Sequence, residues 1–149
     1  PGGGNIILFN NGATTGFGQD FTQSSIIEIT PPMDNQGYYA IDEIESFGPD
    51  HFTWFYTSDF FSHIMSGARR LPNGNTLVNE GADGRLFELT PEKEIVWEYM
   101  SPFIGTQEPI SRRIFRAYRV PYDWIPQADR AAESAVIPPN ISTFRVPAK

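Results

Sequence analysis

Apolar residues along this chain come in short runs broken by clusters of turn-forming residues. The pattern is clearest in the middle. Ser66-Gly67-Ala68-Arg69-Arg70-Leu71 leads into Pro72-Asn73-Gly74-Asn75, where proline fixes φ and Asn-Gly tolerates the positive φ of a hairpin turn. Thr76-Leu77-Val78 begins the next run, and Gly81-Ala82-Asp83-Gly84 turns again. Arg85-Leu86-Phe87-Glu88-Leu89 is a third run, Thr90-Pro91-Glu92-Lys93 a third turn, and Glu94-Ile95-Val96-Trp97-Glu98-Tyr99 a fourth run. Short runs joined by tight turns predict a four-stranded antiparallel meander over residues 66–100.

The same pattern recurs on either side. Gly4-Asn5-Ile6-Ile7-Leu8 matches Gly74-Asn75-Thr76-Leu77-Val78, and Ile26-Ile27-Glu28-Ile29-Thr30 matches Leu86-Phe87-Glu88-Leu89-Thr90. Phe52-Thr53-Trp54-Phe55-Tyr56 matches Ile95-Val96-Trp97-Glu98-Tyr99. Downstream, Arg116-Ala117-Tyr118-Arg119-Val120-Pro121 matches Gly67-Ala68-Arg69-Arg70-Leu71-Pro72. The repeat predicts the last three strands of one sheet (residues 5–57), a complete sheet (66–100) and the first strand of a third (114–120). Expected strands fall near 5–9, 24–30, 52–57, 66–71, 75–80, 84–90, 94–100 and 114–120. A four-stranded meander is the unit of a β-propeller blade, so the expected fold is all-β: a partial propeller, two nearly complete blades plus the first strand of a third. Two blades cannot close a ring. The remaining blades are expected from a companion chain or a missing N-terminal half.

Two loops of the first repeat are enlarged: residues 10–20, and 31–51 with the acidic cluster Asp42-Glu43-Ile44-Glu45. That cluster lacks the spacing of a calcium loop and reads as solvated, so no metal or cofactor is expected. Residues 122–149 form a Pro-rich tail in which 129–135 has helix-compatible composition and 140–146 has the pattern of a closing strand.

Composition narrows the function. The 149 residues are 40% hydrophobic and 14% aromatic, with 13 glycines and 13 prolines, the make-up of a turn-rich folded domain. A net charge of −7 argues against wrapping nucleic acid or lying on an anionic membrane. No apolar run reaches the ~20 residues of a membrane-spanning helix. The absence of cysteine excludes disulfides, zinc–thiolate sites and thiol catalysis in this chain. Asn140-Ile141-Ser142 is an N-glycosylation sequon. The opening Pro1-Gly2-Gly3-Gly4, running straight into a strand, reads as a fragment or a processed product.

Taken in order, Gly4-Asn5-Ile6, Phe9-Asn10-Asn11-Gly12, Phe60-Phe61-Ser62, Ser66-Gly67-Ala68 and Arg70 to Thr76 (Arg-Leu-Pro-Asn-Gly-Asn-Thr) resemble the C-terminal part of arylsulfotransferase-like proteins. Glu80-Gly81, Phe87-Glu88, Val96 to Tyr99 and Phe115 to Arg119 continue the resemblance, which spans residues 1–121. It implies a six-bladed propeller. It further implies transfer of a sulfuryl group from an aryl sulfate to a phenol through a transiently sulfated histidine, with cations steadying the sulfate oxygens. An extracellular, periplasmic or secretory-lumen location goes with it. The chain departs from that pattern at Ser66, where catalytic blades often carry a histidine. Its own histidines are His51, in the enlarged loop, and His63, between two blades. This chain would therefore supply the supporting side of the site: His63 and Ser66 at the channel mouth, and Arg69 for positive charge. Arg70 has Arg119 as its repeat counterpart and reads as architectural, Trp54 and Trp97 as packing residues, and Phe60 and Phe61 as wedges between blades. The alternatives are a non-catalytic propeller serving as a scaffold subunit, and calcium or carbohydrate binding through the acidic loops.

Overall fold

The computed structural model describes residues 4–12, 23–39, 47–103, 112–121 and 124–125. Among these residues, seven strands form two antiparallel sheets. β1 (Ile6–Asn10), β2 (Ser25–Ile29) and β3 (Trp54–Thr57) make the first, paired in chain order. β4 (Ser66–Arg70), β5 (Thr76–Glu80), β6 (Arg85–Leu89) and β7 (Ile95–Met100) make the second, also in chain order. Neither sheet closes on itself. The all-β class and the two successive meanders are as the hydrophobic pattern predicts. No helix among the described residues is long and apolar enough to cross a membrane.

Turn chemistry sets the register. Gly74 N–H donates to the Leu71 carbonyl (3.0 Å) and Leu71 N–H to Asn75 (2.7 Å), with Gly74 at φ 89° after Pro72-Asn73. That is a turn closed by a residue in the left-handed region, which glycine adopts without steric cost. β6 and β7 are joined the same way. Lys93 N–H donates to the Thr90 carbonyl (3.0 Å) and Thr90 N–H to Glu94 (2.9 Å), and Lys93 takes φ 75°.

The sheets stack through alternate side chains. Ile26 and Tyr56 from the first sheet, Val78, Phe87 and Leu89 from the second, and Phe60 from the connection form the buried core. Phe60 is the wedge: its ring lies 5.8 Å from Phe9, 5.8 Å from Tyr56 and 5.6 Å from Phe87, centroid to centroid. Burying each large apolar side chain stabilises the stack by about 1.5–3 kcal/mol. Phe61 is only half-buried and stacks on His63 instead.

An ion pair ties the two sheets together beside this core, and its counterpart in the repeat ties residues 112–121 to the second sheet. Glu28 on β2 accepts from Asn5 (2.8 Å) and pairs with Arg70 on β4, whose guanidinium lies 5.0 Å from the Trp54 ring. Glu88 on β6 accepts from Asn75 (2.7 Å) and pairs with Arg119. Asn5 and Asn75, Glu28 and Glu88, and Arg70 and Arg119 are counterparts in the sequence repeat. The architectural reading of Arg70 thus has its physical cause in a buried carboxylate that needs a cation.

The expected strand over 114–120 is not formed. Residues 112–121 lie along the second sheet without joining a ladder; their backbone bond to it runs from Ile114 N–H to the Gly81 carbonyl (2.9 Å). Their residue pattern repeats that of β4, but β4 is a strand because β5 pairs with it, and no strand among the described residues pairs with 112–121. Gly81 permits the approach, since a Cβ there would sit 1.8 Å from the Met65 carbonyl oxygen and 2.2 Å from that of Ile114. The acidic cluster 42–45, the helix-compatible stretch 129–135, the strand pattern at 140–146 and the sequon at Asn140 lie outside the described residues.

Candidate functional site

β4 divides its side chains between two faces. Ser66 Oγ is 3.1 Å from Asn11 Oδ1, Ala68 packs on the core and Arg70 pairs with Glu28, so these three face the first sheet. Arg69 points the other way and is exposed, with its guanidinium 5.7 Å from the centre of the Tyr118 ring. Arg116 approaches the same ring at 5.8 Å and donates from Nη1 to the Tyr118 hydroxyl (2.8 Å). Two guanidiniums thus converge on one phenol at the surface, both drawn to the negative face of the ring. Among the described residues, neither Arg69 nor Arg116 has a carboxylate partner, whereas Arg70, Arg85 and Arg119 all do. In a chain of net charge −7, this is a local reserve of positive charge with planar donors suited to an oxyanion.

The other expected site residues lie elsewhere. Ser66 and Arg69 are on opposite faces of β4. His63 is exposed in the connection before β4, 6.0 Å from the Phe61 ring. That connection meets the β5–β6 turn: Phe61 N–H donates to Glu80 (2.9 Å), and Ala82 N–H to Ser62 Oγ (3.0 Å). Glu80 is buried, and burial raises its carboxyl above the ordinary glutamate value, outweighing the Phe61 hydrogen bond and the Arg85 charge that pull it down. Arg85 is held the opposite way. Burial would lower it, but Glu98 and Glu80 together raise it. Glu80, Arg85 and Glu98 form one ion-paired network. Among the described residues no three His, Cys, Asp or Glu side chains cluster as metal ligands. A hollow of about 310 Å³ by the first sheet is lined by Gly4, Thr30, Pro31, Pro32, Met33 and Tyr39 and contains no charged group.

Sequence reasoning gave no role to Arg116 or Tyr118. The available signal was the repeat, which puts Tyr118 at the position Arg69 occupies one unit earlier. No protein-family model, no curated protein and no solved structure matches this chain.

Proposed function

We propose that this chain is part of an arylsulfotransferase-like propeller and forms the anion-holding side of a sulfuryl-transfer site. The observation that carries the reading is the convergence of Arg69 and Arg116 on Tyr118 without a described carboxylate partner. A sulfuryl group passing between two phenolic oxygens carries its charge on peripheral oxygens. Fixed guanidiniums stabilise that charge, and an aromatic ring beside them suits an aryl donor. The nucleophilic histidine would come from outside this chain, and sheets of this repeat would complete a ring of about six blades.

The test is nitrophenolate release from 4-nitrophenyl sulfate with a phenol acceptor, in the intact protein. Arg69→Ala is expected to lower turnover by roughly 10²-fold, the scale for loss of one oxyanion partner, with Tm nearly unchanged because Arg69 is exposed. Full activity in that variant would remove Arg69 from the site. If the intact protein neither turns over nor binds the sulfate ester, the scaffold reading takes its place. That second reading has its own support in the repeated Asn–Glu–Arg ties, one joining the two sheets and one joining residues 112–121 to the second, and in the separation of His63 and Ser66 from Arg69.

A further inference from the structure

One guanidinium serves two buried carboxylates beside the β5–β6 turn. Glu80 ends β5 and lies opposite Arg85, the first residue of β6. Glu98 on β7 lies opposite Phe87, two residues further along β6 and so on the same side of the sheet as Arg85. Arg85 is held over the Phe87 ring (4.6 Å to its centre), donates from Nη1 to Glu80 Oε2 (3.0 Å) and pairs through Nε with Glu98 Oε1. The side chains of Arg85, Glu80 and Glu98 are only 18%, 5% and 13% exposed. Two negative charges against one positive leave one negative charge in excess where water hardly reaches, which is unfavourable. The excess has a visible place. Glu98 Oε2 is buried and has no hydrogen-bond partner among the described residues.

The neighbouring groups do not offset it. Asp83 in the β5–β6 turn adds like charge. Asp59 and His63 on the connection are exposed, and Ser66 and Met100, opposite Glu80 and Arg85, are uncharged. The backbone of Arg112 lies against Gly84, but among the described residues the ion pairs of Glu80 and Glu98 are with Arg85 alone.

The cluster also grips the connection between the sheets. Glu80 Oε1 accepts from Phe61 N–H (2.9 Å). Phe60, one residue earlier, is the core wedge, and Ser62, one residue later, is bonded to Ala82 (3.0 Å), Ser24 (2.9 Å) and Asn11 (2.7 Å). A change of charge on Glu80 therefore acts on a backbone hydrogen bond where the two sheets are joined.

We propose that Glu80 and Glu98 take up one proton between them across Arg85, and that this proton sets the strength of the Glu80–Phe61 hydrogen bond, a pH-sensitive clasp on the connection. Above the transition both carboxylates are ionised and Phe61 N–H bonds to a charged acceptor. Below it the proton sits on Glu80, Arg85 and Glu98 remain as a one-to-one pair, and the Phe61 bond becomes an ordinary one. Burial raises the Glu80 carboxyl against the Phe61 hydrogen bond and the Arg85 charge, which agrees with Glu80 as the proton's place. The two glutamates titrate as a pair. The clasp is independent of any sulfuryl chemistry.

A carboxyl-carbon and amide NMR titration of the full chain tests this. Glu80 is expected to titrate above the ordinary glutamate value of about 4.3. The Phe61 amide proton should shift upfield with the same midpoint, and the Glu98 carboxyl carbon should show an inflection there as well as its own. In Glu98→Gln the guanidinium serves Glu80 alone, and the Glu80 and Phe61 midpoints are expected to fall together by about one pH unit or more. His63→Gln removes the imidazole that stacks on Phe61 and should leave the Phe61 response in place. The inference is overturned by a Glu80 midpoint at or below the ordinary value, or by a Phe61 amide that does not follow Glu80 or loses its response in His63→Gln. A Glu98 carbon blind to the Glu80 midpoint, or a Glu80 midpoint unmoved in Glu98→Gln, also overturns it, since burial alone would then hold the proton. The parent titration reads both the clasp and the coupling, so it decides even if Glu98→Gln does not fold.

Discussion

Glu28 is a buried carboxylate at which charge wins over burial. Burial alone would raise its carboxyl, but the Asn5 and Arg70 hydrogen bonds and the Arg70 charge outweigh it and hold the group below the ordinary glutamate value. A carboxylate whose folded value is depressed adds stability above its unfolded value and loses it as pH falls through the folded one. Glu28→Gln is therefore expected to cost about 2 kcal/mol at neutral pH, and the gap to the parent should narrow as melts are repeated below the ordinary carboxylate range. A gap that stays constant to low pH would mean that the carboxylate charge is irrelevant to the tie. Lys93 is a second residue where one local term dominates. It holds φ 75° in a turn whose counterpart is closed by Gly74. The left-handed region costs a non-glycine residue about 1–2 kcal/mol, and glycine gives back part of that through unfolded-state entropy. Lys93→Gly should thus raise stability by about 0.5–1 kcal/mol, read as a higher Tm.

At the scale of the element, the boundaries of β1 to β7 were legible because their causes are local. Asn-Gly and Gly-containing turns fix where each run stops, and each β-strand ended within a residue or two of the apolar pattern. The stretch 114–120 was misread because it carries the same residues as β4, and being a strand is not a property of one segment. It requires an edge to pair with. The candidate site was half legible for the same reason. The repeat separated Arg70, with its counterpart Arg119, from Arg69. Nothing local announced that Arg116 and Tyr118 would meet Arg69, because that contact joins β4 to residues brought near it only by the second sheet. Gly81 is the element-level device that allows the approach. Gly81→Ala would drive a Cβ into two carbonyl oxygens. It is expected to destabilise the chain by more than about 1 kcal/mol and to release residues 112–121, seen as faster amide exchange at Ile114. Unchanged protection there would place the anchor elsewhere.

At the scale of the whole molecule, one ion pair in two settings reports how complete the stack is. Arg70 is 14% exposed and sits inside the finished joint, with Trp54 beneath its guanidinium and Thr76 and the Gly74 carbonyl accepting from Nη1. Arg119 pairs with an equally buried glutamate but is 48% exposed, and no strand among the described residues covers it from the other side. Removing Arg70 leaves Glu28 with Asn5 alone in a closed, low-dielectric joint, and loss of one partner of a buried pair costs about 3–5 kcal/mol. Removing Arg119, itself half-exposed, opens Glu88 to water and leaves it with Asn75 and Asn73, so that the partly exposed pair is worth about 0–1 kcal/mol. Arg70→Met should therefore lower Tm sharply in dilute solution, while Arg119→Met barely moves it. If a further sheet seats itself on this face, the two settings become alike. The Tm deficit of Arg119→Met relative to the parent should then grow as chain concentration is raised, and that of Arg70→Met should not. Equal deficits in dilute solution would mean that the exposed joint is already closed, by residues of the same chain.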